Sequence, residues 1–265
     1  MSEIKYLDLG QFLHDDLRLR TFPVAVKLLD TPVFPEKTVR PKFRLGKKIT
    51  ICMGVSMARM YGWTVGLAKE DIVCVPAMIS FGFTGARNQV ETVGKLFCEV
   101  SFSKDRETGQ SEASQMSLIP SRQIQALLIA PLNKAGFEPD SVAIYGNPAQ
   151  IMRLVQAWTY FTGERVTGLF GGKVECTEYL TAPIRTGKPR VAIPGGGDRI
   201  FSMTQDDEMV FSLPASGLQS ICDGLKLAGK KIGAKYPITF YQNFQPEFPP
   251  YYKTLAKELN IDQDQ

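Results

Sequence analysis

Apolar residues recur along 6–19 at Leu7, Leu9, Phe12, Leu13 and Leu17 with charges between them, a spacing that predicts an amphipathic helix. The run FPVAVKLL at 22–29 reads as a strand. A proline-rich connection through Pro32, Pro35 and Pro41 follows it and ends in a basic loop. From Thr50 the period becomes helical, with Ile51, Val55 and Ala58 on one face and Gly62 placed to stop the helix. Residues 63–67 read as a short strand. The apolar run Ile72, Val73, Cys74, Val75 is broken by Pro76, which restricts the residue before it and lacks an N–H. A helix is predicted across Val90, Val93, Leu96, Phe97 and Val100, and the polar stretch 107–117 is expected to be flexible.

Strand and helix signals alternate more clearly in the second half. Residues 125–132 and 141–145 are strand-length apolar runs, and Asn147 with Pro148 opens a helix carrying Ile151, Leu154, Val155 and Trp158, stopped by Gly163. A glycine turn at 169–173 leads into an expected helix over 174–180. The strand 190–193 runs into Gly195, Gly196 and Gly197, a further strand covers 208–213, and Pro214 starts a helix through Leu225. The tail, with Pro246, Pro249 and Pro250, ends in a short charged helix. These elements predict an α/β fold in which helices pack on a mixed sheet, either as two subdomains (1–120 and 121–265) or as one continuous domain.

At 44% hydrophobic content, 265 residues can bury a sizeable core. Thirty-one basic residues against 27 acidic ones leave too small and dispersed a surplus to imply nucleic acid. The basic cluster Arg40, Lys42, Arg44, Lys47 and Lys48 reads as a solvated loop. No apolar run approaches the length of a membrane span, and MSEIKYLDLGQF lacks the order of a signal peptide, so a cytoplasmic protein is expected. His14 is the single histidine, which argues against a Ser-His-Asp triad or a histidine-rich zinc site. Five scattered cysteines argue against a disulfide framework.

Those cysteines are not equivalent. Cys222 lies on an apolar helical stripe and Cys98 follows Leu96 and Phe97, so both read as core. Cys52 falls in a first helical turn, Cys74 at a proline break, and Cys176 after Gly171 and Gly172 at an expected helix start. Free N–H groups at such places favour thiolate, the form that binds soft metals. The spacing 52, 74, 176 contains no CxxC pair, so buried structural thiols remain the plainer reading on spacing alone. The turn Gly195, Gly196, Gly197 with Arg199 has two readings. It can bring backbone and a guanidinium to a carboxylate or phosphate, or it can simply turn the chain, with Asp198 and Arg199 paired at the surface. Arg59, on the Cys52 helix, could compensate a negative cluster or bind an anion, or it could form an ordinary salt bridge.

Residues 49–83 (ITICMGVSMARMYGWTVGLAKEDIVCVPAMISFGF) resemble the hallmark of domain-of-unknown-function family 169: a cysteine, an Ala-Arg pair, a glycine, and a second cysteine after an acidic pair. Asn147-Pro148, Cys176 with the downstream Thr186-Gly187-Lys188-Pro189, the glycine turn ending in Arg199, and Asp207-Glu208 also fit, so the resemblance runs over about 22–225. Some relatives carry a cysteine inside the glycine turn, whereas 195–197 has none here. The resemblance therefore implies three cysteine ligands and one open coordination position, as in a 4Fe–4S cluster with an accessible iron. The expectation is a cytoplasmic iron–sulfur protein with metal ligands Cys52, Cys74 and Cys176, acting on a small anion or with a redox partner protein, without nucleic acid or membrane, and compatible with a homo-oligomer. The alternative is a metal-free module that binds a small anion through Arg59, Gly195, Gly196, Gly197 and Arg199. The resemblance brings no reaction with it, and whether the chain is an enzyme is left open.

Overall fold

The computed structural model describes residues 3–230 and 250–261. Strands β1 (Val24–Leu29), β2 (Val65–Ala68), β3 (Ala126–Pro131), β4 (Ser141–Gly146), β5 (Arg190–Ala192) and β6 (Met209–Pro214) form one sheet in the order β2-β3-β1-β4-β6-β5. Its pairings are all antiparallel, with Val24 opposite Pro131 on one side and Ala143 on the other. The α/β class holds, in an antiparallel form. Strands from 1–120 and 121–265 interleave in this sheet, since β1 pairs with both β3 and β4.

Alternation along the strands sends neighbouring residues to opposite faces. Ala25, Leu128, Ala130, Val142, Ile144 and Phe211 face one core, covered by α1 (Glu3–Asp16), α7 (Pro148–Thr162) and α10 (Leu218–Leu227). Val24, Val26, Leu127, Ile129, Ala143 and Tyr145 face the other, against which α3 (Ile51–Tyr61) packs. Because both faces are covered, β3 and β4 are buried along their whole length.

The helix over 148–162 starts where its cap predicts. Asn147 Oδ1 accepts from Gln150 N at 3.0 Å, and Gln150 Oε1 accepts from Asn147 N at 2.8 Å. Ile151, Leu154, Val155 and Trp158 pack toward the first core. Helix α3 is capped by Thr50, which accepts from Met53 N, and ends at Gly62 with φ 71°.

Four short helices complete the second face and its flank: α2 (Pro41–Leu45), α4 (Val75–Ser80), α5 (Gln89–Glu99) and α6 (Arg106–Ala113). The stretch 107–117, expected to be flexible, instead begins as α6. Asp105 caps it by accepting from Thr108 N, and it crosses α5 so closely that a Cβ on Gly109 would stand 2.4 Å from Gly94 O. The helix expected over 174–180 is a π-helix at Thr177–Thr181 that passes into α8 (Ala182–Thr186). After the glycine turn comes α9 (Gly196–Phe201), and the tail holds α11 (Pro250–Glu258). Pro246 and Pro249 lie outside the described residues.

Candidate functional site

Cys52 stands in the first turn of α3, beside its cap. Its Sγ is 2.9 Å from Thr50 Oγ1 and donates to Gly197 O at 3.7 Å, which ties the helix start to the glycine turn. Cys74 is the extended N-cap residue of α4, two residues before Pro76 in the first turn, and is half-buried. Cys176 is buried immediately before the π-helix, with Sγ donating to Val174 O at 3.8 Å. Single π turns inside helices occur disproportionately at functional sites.

The three thiols share one electrostatic neighbourhood. Burial pushes Cys52 up to about 12, with Asp198 and Cys74 adding to it and the Thr50 hydrogen bond opposing. Burial also raises Cys74, and Asp198 adds to that. Cys176 lies well above the ordinary thiol range, chiefly through burial and then through Asp198, Cys74 and Cys52. Burial therefore outweighs the helix-start donors that sequence reasoning relied on, and without a metal these groups are thiols.

Cys222 is elsewhere, in the core on the opposite face of the sheet, where its Sγ lies 4.0 Å from Leu9 O. Cys98 is half-buried near the end of α5. All five cysteines are free. Among the described residues, no three histidine, cysteine, aspartate or glutamate side chains stand so as to hold a single metal ion.

Asp198 backs the thiols. It is buried in α9, accepts from Tyr179 Oη at 2.5 Å and from Gly195 N at 3.2 Å, and has its pKa raised by burial against the pull of those bonds. Tyr179 meets Tyr145 edge-on at 5.8 Å, and the Arg59 guanidinium lies 4.1 Å from the Tyr145 ring centre. Arg59 is 1% exposed and grips Glu208, 4% exposed, through two bonds of 2.7 and 3.0 Å. It does not face an open cleft. Arg199 is also engaged, donating to Gln205 O at 2.7 Å with Asp206 3.8 Å away, and Asp198 is not its surface partner.

The glycine turn divides by residue. A Cβ on Gly195 would stand 2.8 Å from Gly172 O, so this glycine lets two loops close, and Gly196 N donates to the same oxygen at 3.0 Å. At Gly196 and Gly197 an added Cβ meets nothing nearer than 4.0 and 3.9 Å, so neither glycine is required by packing. Exposed apolar side chains neighbour these positions in the chain: Val73, Val75, Phe170, Ile193, Ile200 and Phe201.

Asp198 as a buried group, the Tyr145–Tyr179 pair and the carboxylates Glu175 and Glu178 were not singled out from sequence. Glu208 was visible only as half of Asp207-Glu208. The sequence model of the uncharacterised ArCR family, domain of unknown function 169, matches residues 13–224. The chain belongs to this family. The match spans α3, α4, the π-helix and the glycine turn, so each candidate site residue lies within the family region. An uncharacterised protein of Methanocaldococcus jannaschii is 24% identical over 211 residues, covering 77% of this chain and 90% of its own length. No solved structure matches. Among the described residues, no helix is long and apolar enough to cross a membrane.

Proposed function

We propose that this ArCR-family chain is a cytoplasmic iron–sulfur protein whose Cys52, Cys74 and Cys176 hold one 4Fe–4S cluster. The observation that carries the reading is that the three thiols share one electrostatic neighbourhood: Cys74 adds to the raised pKa of both Cys52 and Cys176, Asp198 adds to all three, and the Cys52 thiol is tied to the Gly197 carbonyl. In a 4Fe–4S cluster each cysteine sulfur binds a different iron, so its ligands need not converge on a single ion as those of a lone zinc must.

Cysteine is the ligand type such clusters use, and binding displaces the protons that burial holds on the thiols. The reducing cytoplasm keeps such thiols free. When bound, the cluster supplies one-electron transfer and, with three protein ligands, an iron position open to a small anion. The chain itself supplies Thr50 and the Gly197 carbonyl to orient Cys52. The exposed apolar residues near Cys74 and on α9 offer a surface to a redox partner protein. The metal-free anion module has less support, since Arg59 is committed to Glu208 and Arg199 to Gln205 and Asp206.

Anaerobic reconstitution with iron and sulfide tests the proposal. Broad absorbance in the visible, stoichiometric iron and sulfide, and an electron paramagnetic resonance signal on reduction are expected. Cys→Ser at 52, 74 or 176 should lose most of the iron, and the same change at 98 or 222 should keep it. A colourless, iron-free protein after reconstitution would sink the reading.

A further inference from the structure

Behind Cys176 lies a cavity of about 380 Å³, lined among others by Glu112 of α6, Phe170 and Lys173 of the glycine loop, and Glu175 and Glu178 around the start of the π-helix. Its size is at the small end of ligand pockets, which run to about 300–1,000 Å³. It gathers three carboxyl groups and one lysine. Lys173 pairs with Glu112 at 2.7 Å while resting over the Phe97 and Phe102 rings, so it partners one of the three.

The remaining two are buried and incompletely bonded. Glu175 is 1% exposed. Its Oε1 accepts from Gly171 N at 2.6 Å and Gly172 N at 2.5 Å, while its Oε2 has no partner. Glu178 is 5% exposed and its Oε2 is also unpartnered. Arg190 is within electrostatic reach of Glu178, but its guanidinium donates to Thr167 and it does not line the cavity. Buried carboxylate oxygens are rarely left without donors, and two in one cavity call for an occupant that brings them.

The glycine at 171 is part of the arrangement. A Cβ there would stand 2.8 Å from Glu112 Oε1 and 3.6 Å from Glu175 Oε1, so the missing side chain lets two carboxylates approach one point.

We propose that this cavity binds a small organic cation, a primary ammonium or guanidinium compound, through Glu175 and Glu178, with Phe170 against its apolar part. A bare divalent ion lacks the ligand set, since among the described residues no three His, Cys, Asp or Glu side chains converge on one. A guanidinium has five N–H donors in a plane and an ammonium has three, enough to reach oxygens on separate carboxylates, and an aromatic face attracts either. The inference does not depend on what Cys176 binds. It departs from the sequence expectation of an anionic ligand because the cations that would have met one are occupied, whereas these carboxylates are not.

Isothermal titration of the full chain with agmatine, which carries both cationic groups, tests it on iron-free and reconstituted protein alike. Saturable one-site binding is expected, weakening as salt rises, with no binding of acetate. Glu175→Gln, which keeps an acceptor for Gly171 and Gly172, and Glu178→Gln should each weaken binding tenfold or more with the urea midpoint nearly unchanged. Lys173→Ala, which frees Glu112, should tighten binding severalfold. Absence of saturable binding to wild type, wild-type affinity in both Gln variants, or stoichiometric displacement of agmatine by Mn²⁺ would overturn the proposal.

Discussion

Replacing Arg59 by alanine separates a structural clamp from a ligand-binding arginine. In the structure this guanidinium joins α3 to the residue before β6 through two bonds to Glu208, and it lies over Tyr145. Its removal leaves the Glu208 carboxylate buried with one remaining donor, the Gln205 N–H at 2.8 Å. Breaking one side of a buried pair costs about 3–5 kcal/mol, and the lost ring contact adds about 1–2 kcal/mol. Against a total stability of about 5–15 kcal/mol, the variant should be marginal, with its thermal midpoint lowered by roughly 7–13 °C. Urea denaturation followed by far-ultraviolet circular dichroism measures this directly. The double variant Arg59→Met, Glu208→Met should recover most of the loss, because apolar groups of similar volume leave no uncompensated charge. The coupling energy across that cycle is expected to be ~2 kcal/mol or more, as for residues in direct contact. A single-variant loss under about 1 kcal/mol, the range of an exposed pair, would refute the clamp and return Arg59 to the candidates for ligand binding.

Gly195→Ala should destabilise by about 1–3 kcal/mol, because the new methyl meets the Gly172 carbonyl at 2.8 Å, as urea midpoints will register. Gly197→Ala should be neutral or stabilising by up to ~1 kcal/mol, being helical and unobstructed. Gly197→Cys extends the same logic: the position accepts a side chain and its carbonyl meets Cys52, so on the proposed cluster reading reconstituted protein should gain a fourth thiolate and lose exogenous-ligand effects on its paramagnetic spectrum. For Cys222, burial raises the folded pKa from 9.0 to about 12, so the folded chain keeps a proton that the unfolded chain releases. Its contribution is full below pH ~9 and declines as pH rises toward about 12, and Cys222→Ala should flatten that part of the stability profile measured by urea midpoint.

Most regular elements were legible because each carries a local signal. Thr50 and Gly62 bracket α3, Asn147 with Pro148 and Gly163 bracket α7, and the strand-length runs at 125–132 and 141–145 are the interior strands β3 and β4. Helix α6 was missed because its stability is not amphipathic. It is a polar segment held by the Asp105 cap and a glycine-to-glycine crossing with α5, and neither makes an apolar period. Helix α4 was hidden by Pro76, which reads as a break yet sits in a first turn where its missing N–H costs nothing.

At the site, the placement of Cys52 in a first helical turn and of Cys74 at a proline break was readable one element at a time. Which charges stay buried was not, since that depends on partners 149 residues apart for Arg59 and Glu208 and 19 apart for Tyr179 and Asp198. The same distance hid the cavity carboxylates, where Glu112 comes from α6 and Glu175 and Glu178 from the other half of the chain.

The position of β1 between β3 and β4 sets an order on synthesis. Val24 emerges from the ribosome long before Pro131 and Ala143, its partners on either side, so the central strand has no neighbours during the first half of translation. Pairings of such sequence separation form slowly, and the edge of β1 is exposed until they do. A fragment ending near residue 120 would carry β1 and β2 without the strand that joins them, which makes it a client for chaperones and not an autonomous unit. Cys176 is made later still, ahead of β5 and β6, so the three thiols come together only in the second half of synthesis. On the proposed cluster reading, a nascent chain stalled before residue 176 lacks one of the three ligands and should retain little iron.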